Sequence, residues 1–184
     1  MRPGSRSAFR SIDKEACMPL SNQIMLARYT QWANEVIHDV VARLPEEEVV
    51  ATRAMTFGSY LRALGHGYAV GAIFRAHLAQ REHGFTERLV PDTTTLPELR
   101  TMQRDLDAWY LAWVEGLSEA QAEEVVHFEY IGGAEGVMSR AQIFLHVVNH
   151  YTFHRGFIVE TLRGMAVDVP ATDITVYLRD HAPK

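Results

Sequence analysis

The sequence contains a single cysteine, Cys17, among its 184 residues. One cysteine cannot form an internal disulfide or supply a multi-cysteine zinc or iron–sulfur site. This cysteine usage suits a reducing compartment, so we expect a cytoplasmic protein. Cys17 has no histidine near it in the sequence to activate it, which makes it a poor candidate for a catalytic nucleophile.

Positive charge is also scarce. The chain has 18 lysines and arginines against 23 aspartates and glutamates, for a formal net charge of −5. It therefore lacks the basic excess that binds a phosphate backbone or an anionic membrane. Charges or glycines interrupt every apolar run before it reaches the ~20 residues of a membrane-spanning helix. We expect a soluble protein that has neither nucleic acid nor membrane as a partner.

Several catalytic motifs are missing. The sequence contains no His-Glu-x-x-His motif, no Walker P-loop, no G-x-G-x-x-G after a predicted strand and no G-x-S-x-G elbow. These absences disfavour a zincin peptidase, a nucleotide hydrolase, a Rossmann dehydrogenase and an α/β-hydrolase.

The length and the 47% hydrophobic content fit one domain with a sizeable core. Residues 1–20 carry three arginines but lack the continuous apolar stretch of a signal peptide, and we expect a flexible N-terminal extension there. Met18 is a second candidate start. The domain is expected to cover residues 21–184.

Four long segments have apolar residues at three- and four-residue steps, the pattern of amphipathic helices. The predicted helices are Gln23–Leu44, Phe57–Ala79, Glu98–Gly116 and Arg140–Met165. Between the last two, residues 124–138 combine apolar residues with glycines and predict a small hairpin or extended loop. The predicted fold class is therefore all-α, a four-helix bundle.

The packing surfaces of these helices have two notable features. Gly65, Gly67 and Gly71 weaken the second helix locally but allow another helix to approach it closely. The tyrosines and tryptophans exceed what four helices need for a core, so we expect a homodimer that buries a helical face.

The most informative segment is LHVVNHYTFHRGF, in which His146, His150 and His154 follow one another at intervals of four residues. Residues four apart on a helix are neighbours with Cβ atoms ~6 Å apart, so two such imidazoles can bind one metal ion. His146 and His154 are separated by ~12 Å along the axis and cannot share that ion. One adjacent pair must therefore be chosen.

A helical wheel favours His150 with His154, because both lie at the border of an apolar stripe that includes Val147 and Phe157. His146 lies further towards the polar side of the helix. The alternative is that these histidines are merely solvated or hydrogen-bonded, as such pairs often are.

Catalytic metal sites usually have three protein ligands and one open position. His66, in the middle of the second predicted helix, is the best third candidate because the apolar face of that helix must enter the same core. His77 and His83 lie nearer the charged end of that helix, and His38 is expected on the polar side of the first helix.

Three sequence segments resemble signatures of the DinB family of DinB/YfiT-like helical bundles. They are ARYTQWANEVI in the first helix, FGSYLRALGH ending at His66, and HVVNHYTFHRGF followed by DITVYL. Together the matches cover about Met25 to Asp180, most of the chain. Each signature is moderate alone, and the three are specific in combination.

This resemblance implies a metal triad of His66, His150 and His154 that holds one divalent transition metal such as nickel, zinc or iron. It also implies a homodimer, since family members often form one. The family often has an acidic residue where this chain has Gly71, and a histidine where it has Phe153. Both differences lie outside the triad and affect the surroundings of the metal.

Related families with this bundle include transferases and isomerases that use mycothiol, bacillithiol or glutathione. The resemblance therefore implies a metal-dependent thiol transferase, in which the metal lowers the pKa of a low-molecular-weight thiol. The alternatives are a metal-dependent hydrolase that activates water, and a stress-linked protein that binds a metal or small molecule without turnover. The sequence identifies no catalytic acid or base.

Overall fold

The computed structural model describes residues 19–181, which form an all-α bundle with one small hairpin. The predicted fold class is confirmed. The elements are α1 (Leu20–Val41), α2 (Glu46–Val50), α3 (Tyr60–Leu78), α4 (Leu96–Glu115), α5 (Glu119–Ala122), β1 (Val125–Glu129), β2 (Glu135–Ser139), α6 (Arg140–Gly164) and α7 (Ile174–Asp180). The predicted extension, residues 1–20, lies outside the described part except for its last two residues, and Cys17 lies outside it.

The hairpin forms where residues 124–138 predict it, with β1 and β2 paired antiparallel from Val125–Ser139 to Glu129–Glu135. Three of the helices begin with capping boxes, in which a hydroxyl and a side chain three residues later satisfy the free N–H groups of the first turn. The capping hydroxyls belong to Thr95 before α4, Ser118 before α5 and Ser139 before α6.

The helix boundaries differ from the predicted ones by at most three residues, as at both ends of α1 and at the start of α3, which begins at Tyr60 and not at the predicted Phe57. Gly58 has a φ of +79°, a left-handed conformation that ends any helix there. Ser59 then caps α3, since its side chain accepts a hydrogen bond from the Arg62 N–H. Phe57 is therefore part of the loop before α3, where its ring is free to contact a neighbouring helix.

The core forms where α1 packs against α4 and α6, and where α3 packs against the same two helices. The large side chains that are almost fully buried come from these four helices; they include Ile37, Tyr60, Leu99, Leu106, Phe144, Ile158 and Leu162. Among residues 19–181, no helix combines the length and the hydropathy that crossing a bilayer requires.

The contact between α3 and α6 depends on glycines, as the sequence predicts. A Cβ atom at Gly67 would lie 3.3 Å from the Tyr151 ring, and one at Gly71 would overlap the Tyr151 hydroxyl. A Cβ atom at Gly65 would lie 2.7 Å from the Val90 side chain, so Gly65 allows the loop after α3 to pack closely against this helix. The absence of side chains on this face of α3 brings α6 close to it.

This close packing predicts opposite effects for two glycine-to-alanine substitutions. Gly71→Ala should lower the free energy of unfolding by about 1–3 kcal/mol, because Tyr151 must move. Gly156→Ala, on the exposed face of α6 with open space around it, should raise the free energy of unfolding by about 0.5–1 kcal/mol. Urea denaturation measures both, and equal effects would contradict the packing described here.

The predicted position of His38 is wrong. The sequence places it on the polar side of α1, but its side chain is buried, with 3% of the residue exposed. The reason is that α1 is covered by both α4 and α6, so its buried surface is wider than one apolar stripe. Burial lowers the pKa of His38 to about 4.

A lowered histidine pKa makes stability depend on pH in a defined direction. Since the ordinary pKa of histidine is 6.5, the unfolded chain binds a proton at His38 more readily than the folded chain does. The stabilising contribution is therefore complete above pH 6.5 and is lost as the pH falls towards about 4.

His38→Leu should reduce the slope of the unfolding free energy against pH by about 1.4 kcal/mol per pH unit within this window. Denaturant titrations at several pH values measure the slope. The matched control is His127→Leu, at an exposed position on β1, which should leave the slope unchanged. Identical slopes in wild type and His38→Leu would contradict this prediction.

Candidate metal centre

The interface between α3 and α6 brings three histidines together. His66 projects from the middle of α3, and His150 and His154 project from successive turns of α6. One ligand nitrogen from each lies within 4.8 Å of the other two. The ring centroids are 5.0 Å apart for His66 and His150, 4.7 Å for His66 and His154, and 4.3 Å for His150 and His154.

His146 lies outside this cluster, as the wheel predicts. Its ring centroid is 5.7 Å from that of His150 and 4.7 Å from that of Phe74, so it packs beside the core. The side chain is half-buried and not fully on the polar side, and burial lowers its pKa. His146 is therefore a neighbour of the cluster on the same helix. Its substitution is a matched control for substitutions of the three cluster histidines.

His77 and His83 lie away from the cluster, at the end of α3 and in the following loop. The His77 ring stacks on Phe128 with centroids 4.9 Å apart and contacts His83 at 5.5 Å. The His83 Nδ1 accepts a hydrogen bond from the Phe85 N–H at 3.0 Å. His77 therefore packs against the hairpin, and His83 packs against His77.

His66 is held in place by a backbone group. Its Nδ1 lies 2.7 Å from the carbonyl oxygen of Arg88, and a nitrogen at that position donates its proton to the carbonyl. The other ring nitrogen then keeps its lone pair, which is the form that binds a metal. The sequence could not predict this contact, because a backbone carbonyl carries no residue-specific signal and residues 79–95 are irregular.

All three imidazoles are neutral at ordinary pH. Burial lowers the pKa of His150 to about 3, helped by repulsion from the neighbouring histidines and Arg88. Burial lowers the pKa of His154 to about 4, and it also lowers that of His66. Among the residues that the structure describes, no carboxylate joins the three imidazoles in the cluster of ligand atoms. Neutral imidazole is the form that binds metals, so all three side chains can bind a metal ion without first losing a proton.

The open side of the cluster is lined by phenylalanine. Phe57, from the loop before α3, stacks on His66 with centroids 4.2 Å apart, and Phe153 contacts His154 at 5.1 Å. Phe157, which the helical wheel places at the border of the apolar stripe, is 42% exposed. Arg155 is buried, with only 5% exposed.

A buried polar network surrounds Arg155, next to His154 in the chain. Its guanidinium donates to the Asn34 side-chain oxygen at 2.9 Å and to the Tyr29 hydroxyl at 3.2 Å. The Asn34 amide donates in turn to both carboxylate oxygens of Asp107 at 3.1 Å, and Gln103 donates to the same group at 2.9 Å. Burial raises the pKa of Asp107 to about 7 despite these donors.

This network links α1, α4 and α6 at the level of the histidine cluster. A cavity of about 20 Å³ separates it from His154, and Asn34, Gln103 and Tyr151 line the same cavity. The sequence patterns indicate no role for Arg155, Asp107 or Gln103. Arginine and aspartate are mostly exposed in proteins, so composition alone does not identify a buried pair.

The donor set fits a transition metal. Three neutral imidazoles suit zinc, nickel or iron, whereas magnesium and calcium prefer oxygen ligands. His66 is buried, while His150 and His154 are half-buried, so the cluster opens towards solvent at the α6 side. A site with three protein ligands and one open side is the arrangement typical of catalytic metals.

Comparisons with known proteins agree with the resemblance noted from the sequence. Residues 18–184 match the model of the DinB family. The chain is 25% identical over 161 residues to Protein DinB of Bacillus subtilis (strain 168), covering 83% of this chain and 91% of that protein. The fold is similar to the crystal structure of a DinB-like protein from Bacillus cereus ATCC 10987, with a TM-score of 0.60 and 15% identity over 79% of this chain and 94% of that chain.

The buried network predicts a large effect of removing its cation. Arg155→Leu leaves the buried oxygens of Asn34 and Tyr29 without their donor and removes the positive charge near Asp107, so it should lower the free energy of unfolding by about 3–5 kcal/mol. Arg163→Leu, at an exposed position two turns further along α6, should change it by less than about 0.5 kcal/mol. Thermal or urea denaturation compares the two, and a small effect of Arg155→Leu would show that the network adds little.

Proposed function

The chain belongs to the DinB family, and from that premise we propose that it binds one divalent transition metal through His66, His150 and His154. The supporting observation is the convergence of three neutral imidazoles from two helices, with ligand nitrogens within 4.8 Å of one another. Nickel, zinc and iron are the ions that suit this donor set.

We further propose that the centre acts on a low-molecular-weight thiol as an S-transferase. An ion bound there supplies Lewis acidity, which lowers the pKa of a thiol enough to favour the thiolate at neutral pH. The Arg88 carbonyl fixes the orientation of His66, and Phe57 shields that ring from water. The thiol releases its proton to solvent, its sulfur bonds to an electrophilic carbon, and the leaving group departs from that carbon with the bonding electron pair.

The composition of the cluster favours a thiol over the hydrolase alternative. A hydrolase needs a group that takes a proton from water, and carboxylates commonly do this. Among the residues that the structure describes, the cluster of ligand atoms contains three histidines and no carboxylate. A thiol has a far lower intrinsic pKa than water and makes less demand on such a base. A stress-linked protein that binds without turnover is the remaining alternative.

The assembly of the protein stays a prediction. We propose a homodimer, on the basis of the aromatic-rich helices and of the exposed large hydrophobic side chains, which include Val50, Val125, Leu145 and Leu178. Light scattering at micromolar concentration gives the mass directly. A cytoplasmic location is likewise an expectation from cysteine usage alone.

Metal affinity should depend on the three histidines of the cluster and not on their neighbour. His66→Ala, His150→Ala and His154→Ala each leave two ligands and should weaken the binding of zinc or nickel by at least about 100-fold. His146→Ala should change affinity by less than about threefold, since His146 lies outside the cluster. Isothermal titration calorimetry measures all four. Loss of binding in His146→Ala with retention in His154→Ala would show that the ligand pair is His146 with His150.

The reaction is tested with protein purified without an affinity tag. Elemental analysis should find one divalent metal per chain, and transfer of a thiol such as glutathione, mycothiol or bacillithiol to an electrophilic dye should require that metal. Metal-dependent ester or amide hydrolysis without thiol transfer would favour the hydrolase. Stoichiometric metal with neither activity would favour a binding protein.

A further inference from the structure

Two exposed aromatic rings lie beside the histidine cluster on α6. Phe153 is 60% exposed and Phe157 is 42% exposed, and we call this pair the phenylalanine ledge. Their ring centroids are 4.9 Å apart in a perpendicular arrangement, and Phe153 also lies edge-on to His154 at 5.1 Å. Large apolar side chains exposed next to one another, at a site that holds polar ligands, are typical of surfaces that bind an apolar group.

A third phenylalanine approaches the same histidine from another element. Phe57, in the loop before α3, lies 5.4 Å from His154 and stacks on His66. The rings of Phe57 and of the ledge therefore both contact His154, from α6 and from the loop. A flat apolar group that enters the open side of the cluster meets aromatic surface on either element.

The charge near the cluster is positive. Arg88 is exposed and forms no ion pair with residues 19–181, while its own carbonyl holds His66 in place. That carbonyl oxygen is 2.7 Å from the His66 Nδ1, which places the Arg88 backbone directly beside the cluster. A divalent ion held by neutral ligands adds two further positive charges, and the ligand cluster in the described residues contains no carboxylate that offsets them. An anionic ligand complements this field, and an arginine recognises a carboxylate by paired hydrogen bonds.

We propose that the centre takes an organic anion with a flat apolar group, which lies on the phenylalanine ledge while a carboxylate pairs with Arg88. This inference rests on the proposed metal site and specifies the class of its ligand. The charge beside the ledge favours such a small anion over a second copy of the chain, because an interface would have to bury the unpaired Arg88 and the centre together.

The test uses the full-length protein loaded with Co²⁺ and two matched pairs of hydroxamates, which bind open metal positions without thiol chemistry. Phenylacetohydroxamate differs from acetohydroxamate by a phenyl ring, and succinate monohydroxamate differs from butyrohydroxamate by a carboxylate. Titration of the cobalt absorbance should show that the ring raises affinity about tenfold. The carboxylate should raise it about fivefold.

Each of these two gains in hydroxamate affinity should depend on one residue. Phe153→Ala should abolish the gain from the ring, whereas Leu145→Ala, another exposed apolar side chain on α6, should retain it. Arg88→Gln keeps the backbone carbonyl and should abolish the gain from the carboxylate, whereas Arg81→Gln in the same loop should not. All four positions are at least partly exposed, so the variants should fold.

The outcomes separate this inference from the metal site on which it rests. Absence of cobalt binding, or of any hydroxamate binding to the cobalt protein, overturns the open metal centre and the ligand class with it. Equal affinities within each pair, with all four hydroxamates bound, overturn the ligand class alone. A Phe153→Ala variant that turns a dimer into a monomer without changing the gain from the ring would show that the ledge is a subunit interface.

Discussion

The close approach of α3 and α6 is the constraint on which the rest of the structure depends. Gly67 and Gly71 leave space that the Tyr151 side chain fills, and no larger residue fits at Gly71 without displacing it. Tyr151 follows His150 directly. Its packing against α3 therefore also fixes the position of α6 along its axis, and its rotation, relative to α3 at the cluster. His66, one position before Gly67, thereby faces His150 and His154 across the same interface.

The polar network around Arg155 completes this positioning on the same face of α6, because Gln103 of the network also donates to the Tyr151 hydroxyl at 3.0 Å. Burying an arginine and an aspartate costs free energy, which hydrogen bonds through Asn34, Tyr29 and Gln103 offset. These partners come from α1 and α4, so the inward position next to His154 is tied to two further helices. The site thus combines a rigid interior side with an aromatic exterior side.

The sequence predicted the parts of this arrangement that follow from periodicity and from residue type. Apolar spacing located the four long helices, and the four-residue spacing identified His150 and His154. The positions it missed are set by tertiary contacts. Gly58 shortens α3 at its start, two covering helices bury His38, and the Arg88 carbonyl reaches His66 from an irregular loop. The inward arginine of α6 contradicts the apolar pattern, since a hydrophobic wheel does not anticipate a buried charge with matched partners.

The central claim is that His66, His150 and His154 together hold one divalent metal on the open side of the α3–α6 interface. Anomalous diffraction from crystals grown with zinc or nickel, recorded on both sides of the absorption edge of the metal, tests it most directly. The account predicts one strong anomalous peak per chain, bonded to one nitrogen of each of these three histidines and accessible from the side of Phe153. A peak bonded to His146 or His77, or no peak at the cluster in protein that has bound the metal, would contradict it.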